Sequence, residues 1–115
     1  PRPEPSFIPA VIDHMIQVPD SASVAAAQHL RRTAGLHAGP STGTNLWGVW
    51  QLAAAMEAEG RAGSIVSLMC DSGDRYAASY GDGAWLAARG LDPAPATAVL
   101  EELFRTGRWP AGNPA

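Results

Sequence analysis

Residues 64–70 read Ser-Ile-Val-Ser-Leu-Met-Cys, a nearly continuous apolar run. Such a run is typical of a β-strand that is covered on both faces in a parallel sheet. A second short apolar run, residues 14–18, stops at Pro19-Asp20 and predicts another strand followed by a turn. Helical patterns separate the two runs, so the order of elements predicts an α/β fold. Two strands are too few for an independent sheet, because their edges need neighbours. We therefore expect the flank of a larger sheet.

Four helices are predicted around these strands. The first begins after a cap at Asp20 or Ser21 and ends near Ala34, where Gly35 provides a stop signal. Its inward stripe is predicted to be Val24, Ala27, Leu30 and Ala34. The second helix, apolar on most of its surface, is expected to be largely buried. This second helix spans residues 44–59, and the third and fourth helices span residues 83–89 and 94–105.

The proline content divides the chain into three parts. Residues 1–10 contain four prolines and no periodicity, and this predicts an irregular connector. Residues 11–106 form the α/β segment, and residues 107–115 form a tail that we expect to be frayed.

Composition excludes several classes of function. All eight basic residues are arginine, so this chain cannot itself supply a Schiff-base lysine. A coding bias towards Ala, Gly and Arg is an alternative explanation for the absence of lysine. The net charge of -3 offers no electrostatic footprint for nucleic acid or anionic membrane, and no apolar run is long enough to cross a bilayer. One cysteine and three scattered histidines form neither an internal disulfide nor a zinc pattern. We expect the protein to have no metal site and to be located in a reducing cytoplasm.

Two polar loops could carry chemistry. Residues 39–45 combine glycines, hydroxyls and an amide before the second helix, and could hold an anion or a heteroaromatic nitrogen. The alternative is an ordinary helix cap. Residues 71–76 follow the apolar run at its carboxyl end, where ligands bind in open α/β sheets. The alternative there is a solvated turn with a local ion pair.

Two residues in or near these loops could be mistaken for catalytic nucleophiles. Cys70 is expected to be a small buried apolar group, with a reactive thiol as the alternative. Ser72 lacks the flanking glycines of a hydrolase nucleophile elbow, because positions 70 and 74 are Cys and Asp.

Three stretches together resemble the C-terminal part of the fold-type II pyridoxal-phosphate enzymes, in the cysteine synthase and cystathionine β-synthase family. The stretches are residues 4–9 (EPSFIP), 35–43 (GLHAGPSTG) and 65–76 (IVSLMCDSGDRY). They stand in the family's order and at about its spacing. The resemblance implies a three-layer α/β fold with a parallel sheet flanked by helices. Pro40, the run 45–47 and the pattern of Tyr80, Asp82 and Trp85 resemble the L-cysteine desulfhydrase branch more than the biosynthetic synthases.

The resemblance implies a wall of a pyridoxal 5'-phosphate site. Ser41 corresponds to the hydroxyl that binds the pyridine nitrogen of the cofactor, and its neighbours shape that edge of the pocket. No catalytic residue falls in this chain. The implied cofactor-binding residues are Gly39, Ser41, Thr42, Gly43, Cys70, Asp71 and Ser72.

The family's lysine, phosphate cup and substrate loop lie earlier in such chains and are absent from these 115 residues. The resemblance therefore implies the C-terminal part of an enzyme that acts on cysteine or O-activated serine by β-elimination or β-replacement. The implied partners are an amino-acid substrate, the missing N-terminal part and a second subunit of a homodimer. The segment alone is expected to be inactive. The alternative is a non-catalytic interaction module with Trp47, Trp50 and Phe104 at its interface.

Overall fold

The computed structural model describes residues 8–110, and helices dominate this part of the chain. Four α-helices and two short 3₁₀ turns follow one another, joined by segments without regular structure. The 3₁₀ turns are Pro9–Val11 and Gly73–Tyr76. The α-helices are α1 Asp20–Ala34, α2 Pro40–Ala58, α3 Gly83–Ala88 and α4 Ala94–Thr106. The predicted connector and tail fall largely outside the described residues, so that division of the chain stays a prediction.

Helix α1 has the predicted extent and a different cap. Its N-cap residue is Pro19, and neither Asp20 nor Ser21 caps it through a side chain. At the other end Gly35 adopts a left-handed φ of 69°, and its N–H donates to the carbonyl oxygen of Arg31 at 3.0 Å. The predicted stripe is only partly correct, since Val24 is buried whereas Ala34 is exposed. The buried residues of α1 are Ala22, Ser23, Val24, Ala25, Ala26 and His29.

Helix α2 begins four residues before the predicted start at Thr44. Pro40 stands in its first turn, where a missing N–H costs nothing and the fixed φ favours the helix. Gly43 then lies directly against α1, because a Cβ atom at this position would meet the carbonyl oxygen of Ser23. This close approach brings α2 onto the small side chains of α1.

The core lies where α1, α2 and α4 meet. Leu100 of α4 is fully buried there, and Trp47 of α2 is only 3% exposed. The Trp47 ring packs edge-on against Trp109, with 5.0 Å between ring centroids. On the neighbouring side His29 stacks on Phe104 at 4.5 Å. Burial lowers the pKa of His29 from its ordinary 6.5, and the positive charge of Arg32 lowers it further. The negative charge of Glu101 has a smaller effect in the opposite direction.

The predicted parallel sheet is absent from the described residues. Residues 14–18 and 64–70 carry no strand pairing, and the one sheet-like contact in residues 8–110 is an antiparallel bridge between Ala38 and Ser72. A strand needs the N–H and C=O groups of a neighbour, and neither segment has one here. Val66 and Leu68 are consequently 94% and 78% exposed. The expectation of strands buried on both faces is therefore wrong for this chain by itself.

Both unpaired segments nevertheless lie against the same helix. A groove of about 520 Å³ is lined by His14 and Ile16 from the first segment, by Val49 and Leu52 of α2, and by Ile65 from the second. Helix α2 thus presents an apolar surface between two stretches that lack strand partners.

Candidate functional site

The two polar loops predicted from the sequence lie side by side. The N–H of Gly39 donates to the carbonyl oxygen of Asp71 at 3.1 Å, and the N–H of Gly73 donates to that of His37 at 2.9 Å. Between these bonds Ala38 and Ser72 form the antiparallel bridge. The start of α2 is therefore joined through its backbone to the loop that follows residues 64–70. We call these joined stretches, residues 37–39 and 71–73, the paired loops.

Glycine is required on both sides of the paired loops. A Cβ atom on Gly39 would lie 2.7 Å from Cε2 of Tyr76 and 3.2 Å from the carbonyl oxygen of Asp71. A Cβ atom on Gly73 would lie 2.7 Å from the carbonyl oxygen of Ala38 and would also meet the His37 ring. At Gly73 the forbidden contact is with backbone, so the two backbones come this close only without a side chain, whereas a methyl group at Gly39 would displace the Tyr76 ring.

Thr42 ties helix α2 to the end of the apolar segment. Its hydroxyl oxygen accepts the N–H of Cys70 at 2.8 Å, and the residue is 2% exposed. One turn further along α2, the side-chain amide of Asn45 donates to the carbonyl oxygen of Leu68 at 3.1 Å. Two side chains of α2 therefore bind backbone groups of residues 68–70, which fixes that segment beside the helix start.

Ser41 is an exposed hydroxyl at the start of α2. It stands in the first turn of α2, and no hydrogen bond engages its side chain within residues 8–110. The alternative interpretation of residues 39–45 as a side-chain helix cap is wrong, because the N-cap is Gly39 and no side chain caps the helix. The hydroxyl of Thr44 donates instead to the carbonyl oxygen of Pro40 at 3.0 Å. Ser41 thus presents a neutral hydroxyl that can donate or accept.

The loop after residue 70 contains the local contacts expected of a solvated turn. Asp71 accepts from Arg75 at 3.1 Å, in an exposed pair of the kind that contributes about 0–1 kcal/mol. The hydroxyl oxygen of Ser72 accepts the N–H of Asp74 at 3.2 Å and caps the 3₁₀ turn. Cys70 is exposed, so the expectation of a buried thiol is wrong, because no neighbouring strand covers it here.

The structure brings most of the predicted residues together. Gly39, Asp71 and Ser72 belong to the paired loops, Thr42 holds Cys70 directly beside them, and Ser41 stands exposed in the first turn of α2. The Gly43 backbone faces α1, where it permits the helix crossing. The expected cofactor roles of all seven predicted residues stay predictions.

A side-chain pair that the sequence did not indicate supports the paired loops. The imidazole Nδ1 of His37 lies 2.7 Å from Oδ1 of Asp74. These residues are far apart in the sequence, and their spacing matches no motif. Asn45 was likewise not predicted as a contact of Leu68, although its place one turn after Ser41 puts it on the same part of α2.

Other classes of site find little support in the described residues. No group of three or more His, Cys, Asp and Glu side chains suited to a metal ion occurs in residues 8–110. Across the same residues, each helix is too short or too polar to cross a bilayer. Trp47 lies in the core and so cannot anchor an interface as the interaction-module alternative requires, whereas Phe104 remains 54% exposed.

Comparison with known proteins relates the chain to cysteine desulfhydrases and cysteine synthases. It is 55% identical over 109 residues, 95% of its length, to the L-cysteine desulfhydrase Cds1 of Mycobacterium tuberculosis strain H37Ra. It is 32% identical over 98 residues, 84% of its length, to a putative cysteine synthase of Sinorhizobium fredii strain NGR234. No protein-family model matches the chain, and no solved structure matches it significantly.

These relatives confirm the resemblance stated from the sequence, and the higher identity is to the desulfhydrase. The chain spans 30% of the length of the first relative and 28% of the second. It is therefore similar to less than a third of each relative.

Proposed function

We propose that this chain is the C-terminal part of a pyridoxal-phosphate-dependent enzyme that acts on cysteine or on O-activated serine by β-elimination or β-replacement. The observation that carries this proposal is the 55% identity to an L-cysteine desulfhydrase over 95% of the chain. The adjacency of the two predicted site loops supports it, because a pocket wall requires both loops at one place.

The residues at and beside the paired loops suit one edge of pyridoxal phosphate. Ser41 offers an exposed hydroxyl with no hydrogen bond inside the described part of the chain, and this neutral group can donate to an unprotonated pyridine nitrogen. Gly39 and Gly43 would shape this edge of the pocket through their packing on the neighbouring loop and on α1, and Thr42 would hold Cys70 beside the ring edge. Asp71 and Ser72 would line the pocket from the neighbouring loop. When bound, the cofactor supplies an electron sink for carbanion chemistry at the substrate.

A hydroxyl opposite the ring nitrogen has a chemical consequence. Because a serine carries no negative charge, it does not favour a protonated ring nitrogen as a carboxylate would. The electron sink is then restrained, which favours loss or exchange of a substituent on the β-carbon. In this proposal the chain binds and orients the cofactor, and it contributes no catalytic residue.

The remainder of the enzyme must supply what this chain lacks. The chain contains no lysine, so the Schiff-base amine has to come from an N-terminal part, and the segment alone is inactive. Strands from that part would pair with residues 14–18 and 64–70 and complete a three-layer sheet over the apolar surface of α2. The amino-acid substrate, a homodimeric assembly and a cytoplasmic location belong to the same proposal.

Replacing Ser41 by Ala in the complete enzyme tests the proposed wall. Loss of one hydrogen bond is worth about 1 kcal/mol, so we expect roughly fivefold weaker cofactor binding and an altered cofactor absorption band. Ser41→Asp would place a carboxylate opposite the ring nitrogen and should depress sulfide release from cysteine more strongly. Ser21→Ala, at a serine of α1 outside both the site and the proposed sheet, is the matched control. An unchanged spectrum, affinity and rate in Ser41→Ala would remove Ser41 from this role.

A further inference from the structure

A half-open cavity of about 190 Å³ lies between α1 and the paired loops, apart from Ser41 and Cys70. Gln28 and Arg31 of α1 form one side, and His37 with Gly73 forms the other. Tyr76 and Tyr80 provide aromatic surface. Of the residues assigned to the proposed cofactor wall only Gly39 contributes, so this cavity is a separate space.

Two nitrogen-bearing side chains converge in the cavity. A guanidinium nitrogen of Arg31 lies 3.5 Å from Nε2 of His37, at the long end of the hydrogen-bond range. Arginine can only donate, so a hydrogen bond between them requires His37 to accept through Nε2. The other ring nitrogen, Nδ1, lies 2.7 Å from Oδ1 of Asp74, and this contact orients the ring with Nε2 towards Arg31.

The charge of Arg31 is not balanced by a nearby carboxylate. Within residues 8–110, four arginines have no Asp or Glu oxygen within 4.0 Å, and of these only Arg31 lines the cavity; the other three are Arg32, Arg89 and Arg108. No Asp or Glu lines the cavity, and Asp74 lies at the opposite ring nitrogen of His37. A planar guanidinium is well suited to bind a carboxylate through two hydrogen bonds.

The cavity also has room and lining for more than an ion. One water molecule needs only about 10–15 Å³ of such volume, far below the space present. Val24 and Ala27 add apolar surface to the two tyrosine rings. We infer that this cavity binds a small organic carboxylate, with its charged end at Arg31 and its hydrocarbon part between α1 and the tyrosines. The inference does not rest on the proposed cofactor chemistry.

Calorimetric titration of the complete protein with benzoate tests this site. We expect benzoate to bind about tenfold more tightly than benzamide, which has the same shape without the charge. Arg31→Gln should abolish that preference. Arg32→Gln is the matched control, because Arg32 is an adjacent exposed arginine that does not line the cavity. Circular dichroism verifies that both variants keep their helices.

Each other result overturns the inference. Benzoate and benzamide binding equally, or equal effects of Arg31→Gln and Arg32→Gln, would exclude recognition of the carboxylate by Arg31. Sulfate displacing benzoate at the same concentration would indicate a site for a bare anion. Loss of benzoate binding in Ser41→Ala, with Arg31→Gln unchanged, would place benzoate in the proposed cofactor pocket. No binding of benzoate at all would show that the cavity is closed or covered in the complete protein.

Discussion

At the scale of single residues, Gly43 shows how one missing side chain sets the distance between two helices. In Gly43→Ala the new methyl group would meet the backbone of Ser23 and lie 3.2 Å from the nitrogen of Ala27, so α1 and α2 must separate. We expect a loss of about 1–3 kcal/mol in the free energy of unfolding, as for other overpacked cores. Urea unfolding of the chain, monitored by tryptophan fluorescence, measures this loss of stability.

Gly48 supplies the control for Gly43. It lies in the same helix, and a Cβ atom there meets nothing within 4 Å. Gly48→Ala should therefore raise stability by about 0.5–1 kcal/mol through helix propensity alone. If both alanine variants shift the midpoint in the same direction, the helix crossing does not depend on Gly43.

His29 gives the folded chain a dependence on pH. Burial first, and then Arg32, keep its pKa in the folded state below the ordinary 6.5, so the unfolded chain binds this proton more readily. The stabilising contribution of the neutral ring is present above that ordinary value, and it is lost as the pH falls through the folded value. We expect the unfolding free energy to decrease between pH 7.5 and pH 5.5, and His29→Leu to flatten this slope.

The same titration in His14→Leu provides a comparison, because His14 is exposed and carries no corresponding burial. If the free energy of unfolding changes with pH by the same amount in both variants and in the unsubstituted chain, His29 is not the group responsible.

At the scale of elements, the helices were predictable and the strands were not. Local signals such as Gly35 and the prolines near helix starts act within one turn, so the extents of α1 and α4 follow closely from the sequence. Strand pairing depends on residues elsewhere, and residues 64–70 find no partner in the described part of the chain. The adjacency of residues 37–39 and 71–73 followed from the family resemblance, because their separation in sequence contains no such information.

Thr42 links these elements and can be tested by conservative substitution. Thr42→Val keeps the shape of the side chain and removes the oxygen that accepts the N–H of Cys70, whereas Thr42→Ser keeps that oxygen. We expect Thr42→Val to cost about 0.5–1.5 kcal/mol and to speed hydrogen exchange at the Cys70 amide. Thr42→Ser should leave the exchange rate nearly unchanged. Equal exchange in the two variants would show that the hydroxyl does not hold residues 68–70.

At the scale of the whole molecule, the exposed apolar segment is the feature that the proposed sheet would cover. Val66 is 94% exposed in this chain, so Val66→Asp should change its stability by less than about 0.5 kcal/mol. In the complete enzyme the same carboxylate would lie inside a sheet, where an unpaired charge costs several kcal/mol. The melting temperature of the complete enzyme should therefore fall sharply in Val66→Asp. Ala98→Asp, on the exposed face of α4, should have little effect in either protein. Equal effects of Val66→Asp in both contexts would mean that residues 64–70 remain a surface segment, and the parallel sheet would then have to be built without them.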